Sequence, residues 1–183
     1  MVFVGYGISE PDAGWNDLEG LDIKGKVAVV MLGTPKKDGE PVLPDSLEQN
    51  YQSVPGAERK IGKLASMGAT RTIFIADQEI KGMWPMLPRA LANSVVSFNG
   101  KPQTNGPKMI VSVADDKAAR FLMKGQVYNP LEAGDDPMKG YKTFVMEASS
   151  VQLKAEAEFN SIETWNVIGV IPGKDPKLKD EFV

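Results

Sequence analysis

The run Lys26-Val27-Ala28-Val29-Val30-Met31-Leu32 limits the possible folds more than any other segment. After its opening lysine it has no polar residue, so it offers water neither face. It predicts a strand covered on both sides, as found in parallel or mixed sheets. Parallel neighbours need a crossover, and the following sequence supplies one. From Pro55 to Met67, the residues Ala57, Ile61, Leu64, Ala65 and Gly68 share one helical face. Arg59, Lys60 and Lys63 fall on other faces. Ser53 is placed to cap this helix, Pro55 suits its first turn, and Gly68 is the expected stop. Thr70 to Ala76 then reads as a second strand. The result is a β-α-β unit, with Gly33 to Val54 predicted as a long loop ahead of the helix.

Around this unit the pattern is shorter-ranged. Val2 to Ile8 reads as a strand, with Gly5 and Gly7 marking a bulge or a close backbone approach. Ser9 to Gly25 is rich in turn signals. Asp77 to Pro107 is expected to be irregular, with a short strand at Val95 to Phe98. Lys108 to Val113 predicts a strand. Asp115 is expected to cap a second short helix, with Ala118, Phe121 and Leu122 on its apolar face and Gly125 at its end. Tyr141 to Ala148 and Val151 to Phe159 are expected to pair antiparallel, and Thr164 to Ile171 forms a last apolar strand. The class expected is α+β, a mixed β/β/α arrangement with about two main helices.

The chain of 183 residues contains no Cys and no His. Disulfides, thiol nucleophiles, imidazole bases and the commonest zinc ligands are therefore absent, and Ser-His-Asp catalysis is excluded. Ser53, Ser66 and Ser161 have no histidine to activate them. The formal net charge of −3 argues against a general nucleic-acid binder. No apolar run is long enough for a membrane span. Residues 1–20 lack a basic segment followed by an apolar stretch, so no secretory signal is expected within them. Cysteine absence suits either redox compartment.

The remaining chemical candidates are carboxylates and lysines. Asp115-Asp116 has the composition of a proton-sharing or cation-binding pair, but its place at a helix start favours capping. Asp135-Asp136 reads as a solvated turn. Glu10, Asp12, Asp17, Glu19 and Asp22 surround Trp15 without the spacing of an EF-hand loop. Gly5-x-Gly7 lacks the third glycine and the helix of a dinucleotide fingerprint. Lys60 or Lys63 would serve as a base only if buried, and the helical spacing places both outside. Met83-Trp84-Pro85-Met86 puts bulky apolar side chains into a proline-rich stretch. Met83, Trp84 and Met86 are therefore the candidate contact loop, the competing reading being an anchor tucked into the core.

Three groups of residues carry a family resemblance. The opening, through Gly5-Tyr6-Gly7, Gly14-Trp15-Asn16-Asp17 and Gly25-Lys26-Val27, resembles the protease-associated insert of zinc exopeptidases of metallopeptidase family 28. Pro55 to Ala76, with Gly68-Ala69, is similar to that insert's helix and following strand. TWNVIGVIPGKDPKLKDEFV, from Thr164 to Val183, resembles the segment that returns into the catalytic domain. The resemblance is weak between Asp77 and Pro107.

This resemblance implies a swivelling protease-associated domain over residues 1–161 and a return segment over 162–183 leading toward a zinc peptidase domain. In the family, a segment like Asp180-Glu181-Phe182-Val183 runs on into His-x-Asp-His, which supplies the first ligands of a two-zinc site. That motif is not in this sequence, so the resemblance assigns no catalytic or metal-binding residue here. It implies a non-catalytic accessory domain of an aminopeptidase-like enzyme that gates substrate access or mediates protein contacts. The implied partners are the parent's catalytic domain and its peptide substrate, with no nucleic acid. The family's habit is export to the periplasm or the extracellular space. Two rivals stand beside this reading: a free-standing peptide- or glycan-binding module, and a small carboxylate-dependent hydrolase or lyase.

Overall fold

The computed structural model describes residues 1–86, 110–133, 136–147, 150–152, 163, 165 and 167–169. At its centre is a mixed sheet. The parallel strands β1 (Val2–Phe3), β4 (Val27–Met31), β7 (Arg71–Ile75) and β8 (Ile110–Ala114) lie side by side, and β9 (Phe144–Val145) runs antiparallel against β1. The spatial order is β8-β7-β4-β1-β9. Register is continuous across the three long strands: Val29 lies opposite Ile73, and Ile73 opposite Ser112.

The sheet is covered on both faces, as the apolar run at Val27 requires. Successive residues of a strand point to opposite sides. Val2, Val4, Ala28, Val30 and Phe74 join Leu18, Ile23 and Leu64 on one face. Phe3, Val29, Met31, Ile73 and Ile75 join Ala119, Met123, Tyr128 and Met146 on the other. Helix α2 (Ser53–Ser66) supplies Leu64 to the first face, and helix α4 (Asp116–Met123) supplies Ala119 and Met123 to the second. The β4-α2-β7 crossover therefore forms as expected, and Gly68 follows α2 with φ +85°.

Several expectations need correction. The strand expected over Val2–Ile8 stops at Phe3, because the chain turns through Gly5 and Gly7 at φ +57° and +66°. The Gly7 amide donates to the Val4 carbonyl, closing that turn. The turn-rich segment after Ser9 holds a small hairpin, β2 (Ser9–Glu10) against β3 (Trp15–Asn16). The long loop expected from Gly33 to Val54 is instead built from a hairpin and a helix. Strand β5 (Lys36–Lys37) pairs with β6 (Glu40–Pro41) around Asp38-Gly39, both at positive φ, and α1 (Asp45–Tyr51) follows. A two-residue turn of this kind matches the twist of its strands.

Ser53 is the first residue of α2 rather than its cap; the capping position is Gln52, which makes no side-chain cap. The segment expected to be irregular from Asp77 opens with helix α3 (Gln78–Met83), whose cap is Asp77 through a hydrogen bond from the Ile80 amide. Asp115 caps α4 as expected, accepting from the Ala118 amide. The buried face of α4 differs in part: Leu122 packs partly buried against the core as expected, but Ala119 and Met123 are its buried residues, while Ala118 and Phe121 are exposed. The described residues thus hold four α-helices rather than about two main ones. The expected strand at Val95–Phe98 and nearly all of the partner strand at Val151–Phe159 lie outside the described residues. Within Thr164–Ile171, the described Trp165, Val167 and Ile168 carry no strand assignment and are exposed.

Candidate functional site

In sheets of parallel strands, ligands meet the protein beyond the carboxyl ends of the strands. Here that edge holds most of the buried polar side chains among the described residues. Asp17 comes in from the hairpin after β1, Tyr6 from the turn after β1, Lys60 from α2 and Asp77 from the end of β7. Asp17, Thr34, Glu48 and Lys60 are all buried, with Lys60 only 1% exposed.

Lys60 lies one helical turn before Leu64, so its stem follows the inner face of α2. Its Nζ donates to the carbonyls of Met31 (3.2 Å) and Gly33 (2.6 Å), where β4 ends. It also sits 5.8 Å from the centre of the Tyr6 ring. Burial lowers its pKa from 10.5 to about 8, while the charges of Asp17 and Asp77 act the other way. The expectation that Lys60 lies outside is therefore overturned. Helical spacing marks where apolar side chains cluster, but a long lysine stem buries well when carbonyls receive its head.

Asp17 is held by two donors. The Ile8 amide donates to Oδ2 at 3.1 Å and the Tyr141 hydroxyl to Oδ1 at 2.5 Å. Burial raises its pKa, and the hydrogen bonds from Tyr141 and Ile8 oppose the rise, as does the charge of Lys60. Trp15 Nε1 is buried on the Asp17 side without closing a hydrogen bond of good geometry. The Tyr141 hydroxyl in turn accepts from the Tyr6 amide at 3.2 Å. Burial, with the neighbouring Asp17 carboxylate, drives the Tyr141 pKa far upward, so this hydroxyl stays a donor. Burial, aided by the charges of Asp17 and Glu48, pushes Tyr6 up to about 12. A ring cluster surrounds these groups: Tyr141 packs on Tyr6, Trp15 and Tyr128 with centroids 5.5–6.0 Å apart.

The second buried carboxylate is Glu48 of α1. Its Oε1 accepts from the Thr34 hydroxyl at 2.6 Å and from Gln52 at 2.9 Å, while Oε2 is buried without a hydrogen bond. Nearby, the Tyr51 hydroxyl donates to Glu10 at 2.6 Å.

In chemical terms this edge is closed by its own side chains. Asp17 and Glu48 Oε1 accept from fixed donors, Glu48 Oε2 does not, and the buried Lys60 ammonium is engaged by backbone carbonyls. Among the described residues no three acidic side chains converge as a metal cage. Sequence reasoning missed Lys60, Glu48, Tyr6 and Tyr141 as members of one network. It noticed Asp17 only as part of an acidic loop, whereas the fold separates Asp17 from the exposed Asp12, Glu19 and Asp22.

The other candidates lie elsewhere. Asp115 acts as a helix cap and Asp116 pairs with Lys81 at 2.6 Å, so this acid pair is divided between two structural tasks. Asp136 accepts from the Met138 amide in a turn; Asp135 lies outside the described residues. Of the candidate contact loop, Met83 ends α3 and is 37% exposed, Trp84 is half-buried, and Met86 is 64% exposed.

Fold and site together define a mixed α/β domain with a largely hydrogen-bonded polar edge, in which Glu48 Oε2 and Trp15 Nε1 are left without partners among the described residues. No family model, no curated protein sequence and no solved structure matches this chain.

Proposed function

We propose that the chain is a non-catalytic, protease-associated accessory domain of a zinc-dependent aminopeptidase-like exopeptidase. It gates substrate access or mediates contacts with the catalytic domain. The observation that carries this reading is the exposure of Trp165, Val167 and Ile168, at 83%, 97% and 86%. An apolar side chain of this size gains about 1.5–3 kcal/mol when it leaves water. The segment is therefore suited to packing against another body, and the family resemblance assigns that stretch to the return into the peptidase domain.

The polar edge supports the non-catalytic half of the proposal. Gly5-Tyr6-Gly7 and Trp15-Asn16-Asp17, which carry the resemblance, have a visible architectural use in holding Tyr141 and Ile8. Met83, Trp84 and Met86 form a second contact surface in this proposal. The two zinc ions belong to the parent's catalytic domain, and an exported location follows the family's habit.

The test is hydrolysis of leucine p-nitroanilide by the isolated chain, with and without added Zn²⁺. No turnover above the metal-only rate is expected, because no His or Cys is present to bind and activate the metal. Turnover that depends on the protein would overturn the non-catalytic assignment.

A further inference from the structure

The outer face of α4 combines a large exposed aromatic with exposed cations. Phe121 is 81% exposed and Val127, just beyond the helix, 60%. Lys117, Arg120 and Lys124 are exposed, and helical spacing sets them on the same side as Phe121. Among the described residues none of the three has an ion-pair partner. From Lys117 to Val127 the sequence holds no acid, although the whole chain is net negative at −3. The two acids at the start of α4 are already engaged, Asp115 by the Ala118 amide and Asp116 by Lys81. The opposite side of the helix is anchored in the core by Ala119 and Met123, so the face is held rigid before any partner arrives.

We propose that this face docks an acidic peptide segment carrying an apolar side chain. The apolar group packs on Phe121 and Val127, and the carboxylates lie against Lys117, Arg120 and Lys124. Charge complementarity selects this occupant. An isolated exposed phenylalanine would fit any apolar surface, but three exposed cations on the same side of the helix favour a partner rich in carboxylates. Arg and aromatic side chains are also the groups that most often dominate binding energy at protein interfaces. The proposal uses none of Trp165, Val167 and Ile168 and stands whether or not a peptidase domain is attached.

The test is a titration of the ¹⁵N-labelled chain with a synthetic peptide of glutamates around a central leucine–phenylalanine pair, followed by amide shifts. Saturable shifts centred on 117–127 are expected. Arg120→Glu should weaken binding about tenfold, and Phe121→Ala about fivefold. Raising the salt concentration should weaken it further, and a peptide with lysine in place of glutamate should not bind. Both substitutions are on exposed positions, and unchanged shifts elsewhere will show that the fold survives. Four results would overturn the proposal: no saturation at millimolar peptide, shifts centred elsewhere, affinities unchanged in both variants, or equal binding of the lysine peptide. Capture by phosphatidylserine vesicles without peptide binding would assign the face to a membrane instead. Concentration-dependent self-association through the same amides would assign it to a second copy.

Discussion

The Tyr141 hydroxyl donates a 2.5 Å hydrogen bond to Asp17 Oδ1 across 124 residues of sequence. The same hydroxyl occupies the space beside Gly5, where an added Cβ would lie 1.8 Å from it. Gly5 is thus required twice, by its positive φ and by this approach. Tyr141→Phe removes the donor to Asp17 and the acceptor of the Tyr6 amide. It should destabilise the fold by about 1.5–3 kcal/mol, the range for a hydrogen bond to a charged acceptor. Urea melts of the two proteins check this; a loss under about 0.5 kcal/mol would show that the bond contributes little net stability.

Gly5→Ala should be worse than Tyr141→Phe, because the new methyl meets both a strained backbone and the tyrosine. In Gly5→Ala/Tyr141→Phe part of the clash is relieved, although the ring carbon would still stand 2.7 Å away. The two losses should therefore be less than additive. Strict additivity in a double-mutant cycle would contradict the close approach.

Lys60 carries a pH dependence whose sign is fixed by its shift. Its pKa falls from 10.5 to about 8 on folding, so between those values the unfolded chain binds more protons than the folded one. Stability attributable to Lys60 therefore rises with pH across that window, by up to about 3 kcal/mol. The expected result is that the native chain gains stability relative to Lys60→Met between pH 7.5 and 10. Parallel pH curves for the two proteins would show that Lys60 is not desolvated.

The faces of α4 make a simple contrast. Phe121→Ser should change stability by less than about 0.5 kcal/mol, since the ring is in solvent. Met123→Ala, which empties a fully buried site, should cost about 2–5 kcal/mol. Thermal melts of both variants decide it, and reversed magnitudes would exchange the two faces.

The parts of this fold that were readable from sequence depend on near neighbours. Val27–Met31, Leu64, Gly68 and Asp115 declare themselves through local pattern and capping chemistry. The hairpin at Lys36–Pro41 is also legible locally, because Asp38-Gly39 is a strong two-residue turn signal. The polar edge was not readable. Asp17 meets Tyr141, and Lys60 meets Met31, only after the sheet brings distant segments together. The burial of Lys60 also depends on free carbonyls at the end of β4, which no spacing rule reports. In α4, Ala118 and Phe121 make as good an apolar stripe with Leu122 as Ala119 and Met123 do, and Leu122 packs on the core in either case. Packing against β8 and Tyr128 decides between them, and sequence pattern does not.

The accessory-domain account is tested most directly by sequencing the transcript that encodes this chain, through and beyond the Val183 codon. The account predicts an open frame that reaches His-x-Asp-His within a few codons, followed by a peptidase domain. A stop codon directly after Val183 would contradict it and favour the free-standing binding module.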